Sequence, residues 1–190
     1  MTRDASPDEL RGEERRLLLH AAREAIEAHL SGAAFQAPEA LGALAERRGA
    51  FVTLRRRADD DLRGCVGLMR SDRSLLETVT AMAVAAATED GRFDPVTLEE
   101  LPGIAIEISA LGPMRPIRPE EVEVGRHGLL ISLGQRRGVL LPQVPVEHGW
   151  DRETFLAHTC WKAGLPEDAW RAPDADLQAF TATVFGEDEE

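Results

Sequence analysis

Cysteine is scarce in this 190-residue chain: Cys65 and Cys160 are its only two. Two thiols cannot build the disulfide framework that holds small secreted domains together. Long apolar runs are missing too. The longest, around Ala81 to Ala87, is interrupted and too short to span a bilayer. Met1-Thr2-Arg3-Asp4-Ala5 has no apolar core of the signal-peptide kind. The expectation is a cytoplasmic protein with reduced thiols and no membrane association. Positive charge is in deficit, with 34 acidic against 22 basic residues and a formal net charge of -12. That balance opposes general binding to polyanions, whose backbones are held by neutralising Lys and Arg. Arg55, Arg56, Arg57, Arg63, Arg70 and Arg73 do cluster in sequence, and read as a solvated strand face and hairpin rim. Nucleotide-binding glycine loops of the G-x-x-x-x-G-K-[ST] or strand-linked G-x-G-x-x-G type do not occur. His127, His148, His158, Cys65 and Cys160 are scattered without C-x-x-C or H-E-x-x-H spacing, so no metal is expected and no cofactor is assigned.

What remains is an ordinary globular composition, 43% hydrophobic and 29% charged, in a chain long enough to bury a core. One domain over 1–190 is expected, with disordered tails at 1–5 and 186–190. Ser6-Pro7-Asp8-Glu9 fits a capping box, and Leu19, Ala22, Ile26 and Leu30 recur behind it at helical spacing up to a stop at Gly32. Pro38 to Arg48 reads as a short helix or turn. Ala50 to Arg55 and Leu62 to Leu68 flank the polar turn Ala58-Asp59-Asp60-Asp61 and predict a hairpin. Ser74 with Glu77 marks a second capping box, opening an alanine-rich helix that ends at Glu89-Asp90-Gly91.

Ile104 to Ile108 alternates isoleucines with Glu107, read as a solvated carboxylate. Leu129 to Leu133 and Val139 to Leu141 predict another hairpin, broken off by Pro142-Gln143-Val144-Pro145. Asp151 caps a helix preceded by Trp150, with Phe155 placed for a hydrophobic staple and Gly164-Leu165-Pro166 as the stop. Leu177 to Phe185 reads as one strand with Phe180, Ala182 and Val184 on one face. Helices and hairpins interleave without the rhythm of a parallel sheet. The fold class is α+β, with a largely antiparallel or mixed sheet, helices mainly on one side, and room for a second small lobe.

The unusual stretch is Leu62-Arg63-Gly64-Cys65-Val66-Gly67, where a thiol stands between two glycines inside a strand pattern. Glycine inside a strand costs backbone entropy and marks a bulge or a close backbone approach. Two readings stand open for Cys65. It is a nucleophile activated by a nearby cation such as Arg63 or by the helix opening at Ser74, or it is a small buried hydrophobe.

The same stretch resembles the signature of the AMMECR family, called AmmeMemoRadiSam system protein A in prokaryotes. Gly49 to Leu54 resembles the strand before that signature, and Asp90-Gly91-Arg92-Phe93 the family's Asp-x-Arg-Phe loop. His127 to Ile131, Leu140 to Val144, Glu147 to Asp151 and Lys162 to Leu165 continue the likeness along most of the chain. One departure is Asp94-Pro95, where the family's loop runs into a proline pair.

The resemblance implies a two-lobed α+β protein of unestablished molecular activity. It also implies a three-protein module, shared with a Memo-like relative of non-haem dioxygenases and a radical-SAM protein. On that basis the first expectation is a cysteine-dependent enzyme. Cys65, Arg63 and His127 would be catalytic, and Gly64, Gly67, Asp90, Arg92 and Glu147 would bind substrate. Cys65 would be nucleophile or redox centre, Arg63 or Arg92 would hold an anionic group, and His127 would move protons. The alternative is a non-catalytic adaptor of the module that docks through the surface around Pro142 to Trp150. Action on nucleotides or nucleic acid ranks below both.

Overall fold

The computed structural model describes residues 10–187. The expected capping box at Ser6 to Glu9, the 1–5 tail and residues 188–190 lie outside them. The chain divides into two compact units, Met1–Leu111 with Thr183–Glu190 and Gly112–Ala182.

The first unit is a sheet with both of its α-helices on one face. Helix α1 (Gly12–Ser31) buries Leu18, Ala21, Ala22, Ala25 and Ile26, a stripe at helical spacing that faces the core. Its first turn carries Glu13 and Glu14, where acidic side chains suit the helix dipole, and Glu14 accepts the Arg11 backbone N–H at 2.8 Å. Gly32, at φ 72°, closes it in the left-handed conformation that glycine adopts without a Cβ penalty.

Strands β1 (Ala50–Arg56) and β2 (Leu62–Leu68) form the expected antiparallel hairpin, and β3 (Ile104–Leu111) pairs with β1 on its other side. Helix α2 (Leu75–Thr88) starts as its sequence demands. Ser74 Oγ accepts the Glu77 N–H at 3.2 Å, and Glu77 Oε2 accepts the Ser74 N–H at 3.0 Å. Its alanines let it lie close on the sheet. Ala50, Val52 and Leu54 of β1 and Ile104, Ile106 and Ile108 of β3 point into this core, as the period of two requires.

The second unit carries β4 (Arg115–Pro116), β5 (Gly128–Leu133), β6 (Arg136–Leu140) and β7 (Asp176–Phe180), in the order β4-β7-β5-β6. It also holds a short helix α3 (Gln143–Glu147) and α4 (Arg152–Lys162). Asp151 Oδ1 accepts the Thr154 N–H at 2.8 Å, the cap expected from sequence. Leu129, Ile131, Phe155, Leu156, Cys160 and Leu177 are among the residues of its core.

Three expectations need correction. Pro142 to Pro145 does not merely break the hairpin; it opens α3, where proline is tolerated because the first helical N–H groups have no partner to lose. Leu177 to Phe185 is two strands, since the chain leaves β7 at Thr181 and enters β8 (Ala182–Gly186) in the other sheet, whose order is β2-β1-β3-β8. Leu177 and Ala179 lie in one core and Phe185 in the other, while Phe180 is buried against Gly128, so a shared Phe180-Ala182-Val184 face does not form. The acidic terminus is ordered through Glu187. Its carboxylate receives Arg23 in a two-pronged pair and also accepts from Arg57 at 2.8 Å and from the Ile106 N–H at 3.0 Å. Three donors converging on one carboxylate hold residues whose composition alone predicts a loose tail.

Candidate functional site

Cys65 lies on β2, the outermost strand of the first sheet. Side chains alternate along a strand, so the face can be read from its neighbours. Val66 packs on the helix-covered core, and a Cβ on Gly64 would come within 2.2 Å of the Ala86 carbonyl oxygen on α2. Cys65 therefore points to the opposite face, and its side chain is half-buried. On β1 its partner is Thr53, and on β3 the partner of Thr53 is Glu107. A thiol, a hydroxyl and a carboxylate thus form one row across three strands.

The Thr53 hydroxyl donates to Cys65 Sγ at 3.4 Å. Such closeness fits a cross-strand pair whose backbone groups do not bond each other, where side chains approach most. The Cys65 N–H then points away from the sheet, where an edge strand has no neighbour to receive it. Asp90, just past the end of α2, takes that role: its Oδ2 accepts the Cys65 N–H at 2.8 Å. The same carboxylate takes Arg92 in a fork, Nε to Oδ1 at 2.9 Å and Nη2 to Oδ2 at 2.6 Å, and accepts the Arg92 N–H at 3.2 Å.

Arg92, above all, holds the Asp90 carboxyl well below the usual carboxylate range, with the Cys65 and Arg92 backbone donors adding to it against the cost of burial. Asp90 holds the Arg92 guanidinium charged in return, and the Cys65 sulfur adds a smaller contribution. The Asp90 side chain is 7% exposed and that of Arg92 58% exposed.

Arg63 sits at an irregularity in the hairpin. Leu54 pairs with Gly64 but Arg55 pairs with Leu62, so Arg63 is the extra residue of a bulge. Its guanidinium grips Glu100 with both prongs at 3.1 Å and the Asp94 carbonyl at 2.9 Å. Arg63 is the main reason the Glu100 carboxyl lies below its ordinary value. Phe93 lies 6.0 Å from the Arg63 guanidinium and 5.5 Å from that of Arg92. Both arginines that the sequence reading offers to an anion are therefore engaged by carboxylates of this unit.

The glycines mark close approaches, as glycine within a strand does. Gly64 lets α2 close on the sheet, and a Cβ on Gly67 would fall 2.2 Å from the Phe51 ring. Arg63, Gly64, Cys65, Gly67, Asp90 and Arg92 gather in the first unit. His127 and Glu147 belong to the second. His127 is half-buried there, and its Nδ1 accepts the Glu123 N–H at 3.1 Å, which leaves the ring proton of the neutral form on Nε2. Burial pushes its pKa below the ordinary value, against the pull of Glu123. Glu147 is exposed on the last residue of α3.

Sequence reasoning missed Thr53 and read Glu107, which is half-buried, as solvated. Counting the hairpin register from the five-residue turn would have paired Thr53 with the thiol. Among the described residues no three His, Cys, Asp or Glu side chains gather as a metal site, and no helix is long and apolar enough to cross a membrane.

A thiol-bearing edge strand pinned by an Asp-Arg loop, in a two-unit α+β chain, invites comparison with known proteins. Residues 19–185 match the sequence model of the AMMECR1 family, and the chain belongs to that family. It is 44% identical to a protein of Methanopyrus kandleri over 93% of this chain and 90% of that one. A protein of Methanocaldococcus jannaschii is also 44% identical, over 87% of this chain and 86% of the relative. The crystal structure of an uncharacterized protein from Pyrococcus horikoshii superposes with a TM-score of 0.77 at 43% identity, covering 90% of each chain. The α+β class expected from sequence is the class observed.

Proposed function

We propose that the chain is a cysteine-dependent enzyme whose reacting group is the Cys65 thiol on the face of the first sheet opposite α1 and α2. The observation that carries this reading is the double restraint on Cys65: Thr53 donates to Sγ while Asp90 fixes the backbone N–H. A nucleophile held at both backbone and side chain reacts from one geometry. A merely structural cysteine is better represented by Cys160, which is fully buried and whose thiol is pushed up by that burial. In this reading the enzyme acts beside a Memo-like protein and a radical-SAM protein, and Asp90 with Arg92 holds the Cys65 strand in place.

The test is a Cys65→Ser variant in a host that carries the three-protein module. Loss of complementation with unchanged folding supports the reading; full complementation removes it.

A second reading, an adaptor of the same module, is favoured by one observation. Val146 on α3 is 59% exposed and Trp161 on α4 is 52% exposed, large apolar side chains of the kind that anchor partners. Co-purification of the module partners that survives Cys65→Ser but is lost in a Val146→Asp, Trp161→Ala double variant would select this reading.

A further inference from the structure

The two arginines nearest the thiol are already paired, and this leaves a different charge to be explained. Arg63 is matched by Glu100 and Arg92 by Asp90. Arg55, on the same sheet face as Thr53, donates to the Asp60 carbonyl at 3.0 Å across its own turn. Glu107 is the exception. It stands half-buried in the Cys65-Thr53-Glu107 row, and no donor or cation meets its carboxylate among the described residues. A carboxylate that no protein group engages is open to a cationic ligand.

One position along the same face, Phe51 pairs with Gly67 on one side and Ser109 on the other, and its ring covers Gly67. The face that presents the thiol therefore carries an aromatic ring lying over β2 and a carboxylate on β3.

We propose that Glu107 is a substrate-binding residue that receives an ammonium or guanidinium group, and that the ligand of this face is a small organic cation rather than an anion. The assignment rests on the thiol reading of Cys65 and names its substrate class. Neighbouring strands lie about 4.8 Å apart, so Glu107 is about 10 Å from Cys65, the reach of a short alkylamine whose other end meets the sulfur. Thr53 lies between them as the hydrogen-bond partner of the thiol. Electrostatic attraction of this kind raises the local concentration of a cationic ligand and lowers that of an anionic one.

The experiment uses the whole protein and three methanethiosulfonate reagents differing only in charge: aminoethyl (cationic), methyl (neutral) and sulfonatoethyl (anionic). In each reaction the Cys65 thiolate attacks the sulfenyl sulfur, the new disulfide forms, and methanesulfinate leaves with the electron pair of the broken S–S bond. Rates are followed by intact mass in a Cys160→Ala background and divided by the rates with 2-mercaptoethanol. A unit charge at this distance predicts a cationic-to-anionic ratio raised about five-fold or more at low ionic strength, and most of that gain is lost in 0.5 M salt.

Glu107→Gln lowers the ratio about five-fold relative to wild type, whereas Glu99→Gln, an exposed carboxylate elsewhere on the unit, leaves it unchanged. Should Glu107→Gln fail to fold, protection of wild-type Cys65 from the neutral reagent by propylammonium, and not by propionate, carries the same information. A preference for the anionic reagent, a ratio unmoved in folded Glu107→Gln, or equal protection by both ions overturns the cation assignment while leaving a reactive thiol. Cys65 inert toward all three reagents overturns the thiol reading and this one with it.

Discussion

Replacing Asp90 by alanine tests whether the loop after α2 holds the thiol strand. The carboxylate accepts four hydrogen bonds, from the Cys65 N–H, the Arg92 N–H and two guanidinium nitrogens. Hydrogen bonds to a charged group contribute about 1.5–3 kcal/mol, and an abandoned backbone donor costs about 1–3 kcal/mol when buried. Arg92 is more than half exposed and finds water, so little is lost on its side. Asp90→Ala is therefore expected to cost about 2–4 kcal/mol, which at the size of this chain is a fall in Tm of roughly 4–16 °C.

The pH dependence has a definite sign. The Asp90 carboxyl titrates lower in the folded chain than an ordinary aspartate does. Its contribution is therefore complete above the unfolded value and is lost as pH falls below about 4 and on through the folded value. The Tm gap between wild type and Asp90→Ala should be flat from pH 5 to 8 and shrink toward pH 2. Calorimetry at five pH values reads both quantities, and amide exchange at Cys65 should quicken in the variant. A variant melting within a degree of wild type at pH 7, or a gap that stays constant in acid, refutes the reasoning.

Gly64→Ala places a methyl 2.2 Å from the Ala86 carbonyl oxygen, a backbone atom that cannot step aside, and should cost about 1–3 kcal/mol in denaturant melts. Glu187→Ala removes the carboxylate shared by Arg23, Arg57 and the Ile106 N–H, with an expected loss of about 2–4 kcal/mol by urea unfolding. Iodoacetamide on the folded protein should label Cys65 and spare the fully buried Cys160 until denaturant is added, as peptide mass mapping will report. The His127 ring should titrate by NMR below the ordinary histidine value of 6.5, and denaturant, by removing the burial, should raise that midpoint.

Local signals carried much of the fold. The Ser74–Glu77 box, the Asp151 cap, Gly32 and both hairpins were legible because each is decided within four or five residues by backbone geometry. The strand break at Thr181 was not, because Leu177 to Phe185 is uniformly strand-like and only the destination of each half, in different sheets, divides it. The anchoring of Glu187 was hidden for the same reason: its donors, Arg23 and Arg57, come from far along the chain.

At the site, Cys65 and the Asp90-Arg92 pair were visible as motif residues, but their relation was not. Nothing in sequence says that Asp90 reaches back to the Cys65 amide, or that Glu100 occupies Arg63. Thr53 went unnoticed and Glu107 passed as a solvated carboxylate because their place in the row with the thiol is a matter of register across strands.

The placement of β8 bears on how this molecule is made. Residues 112–182 form a self-contained parcel spliced into the first unit, entering after β3 and leaving before β8. A ribosome delivers that parcel whole before it delivers the strand that finishes the earlier sheet. The inserted unit can mature while its host still waits for Phe185 and Glu187 to arrive, so the order of completion runs opposite to the order of initiation.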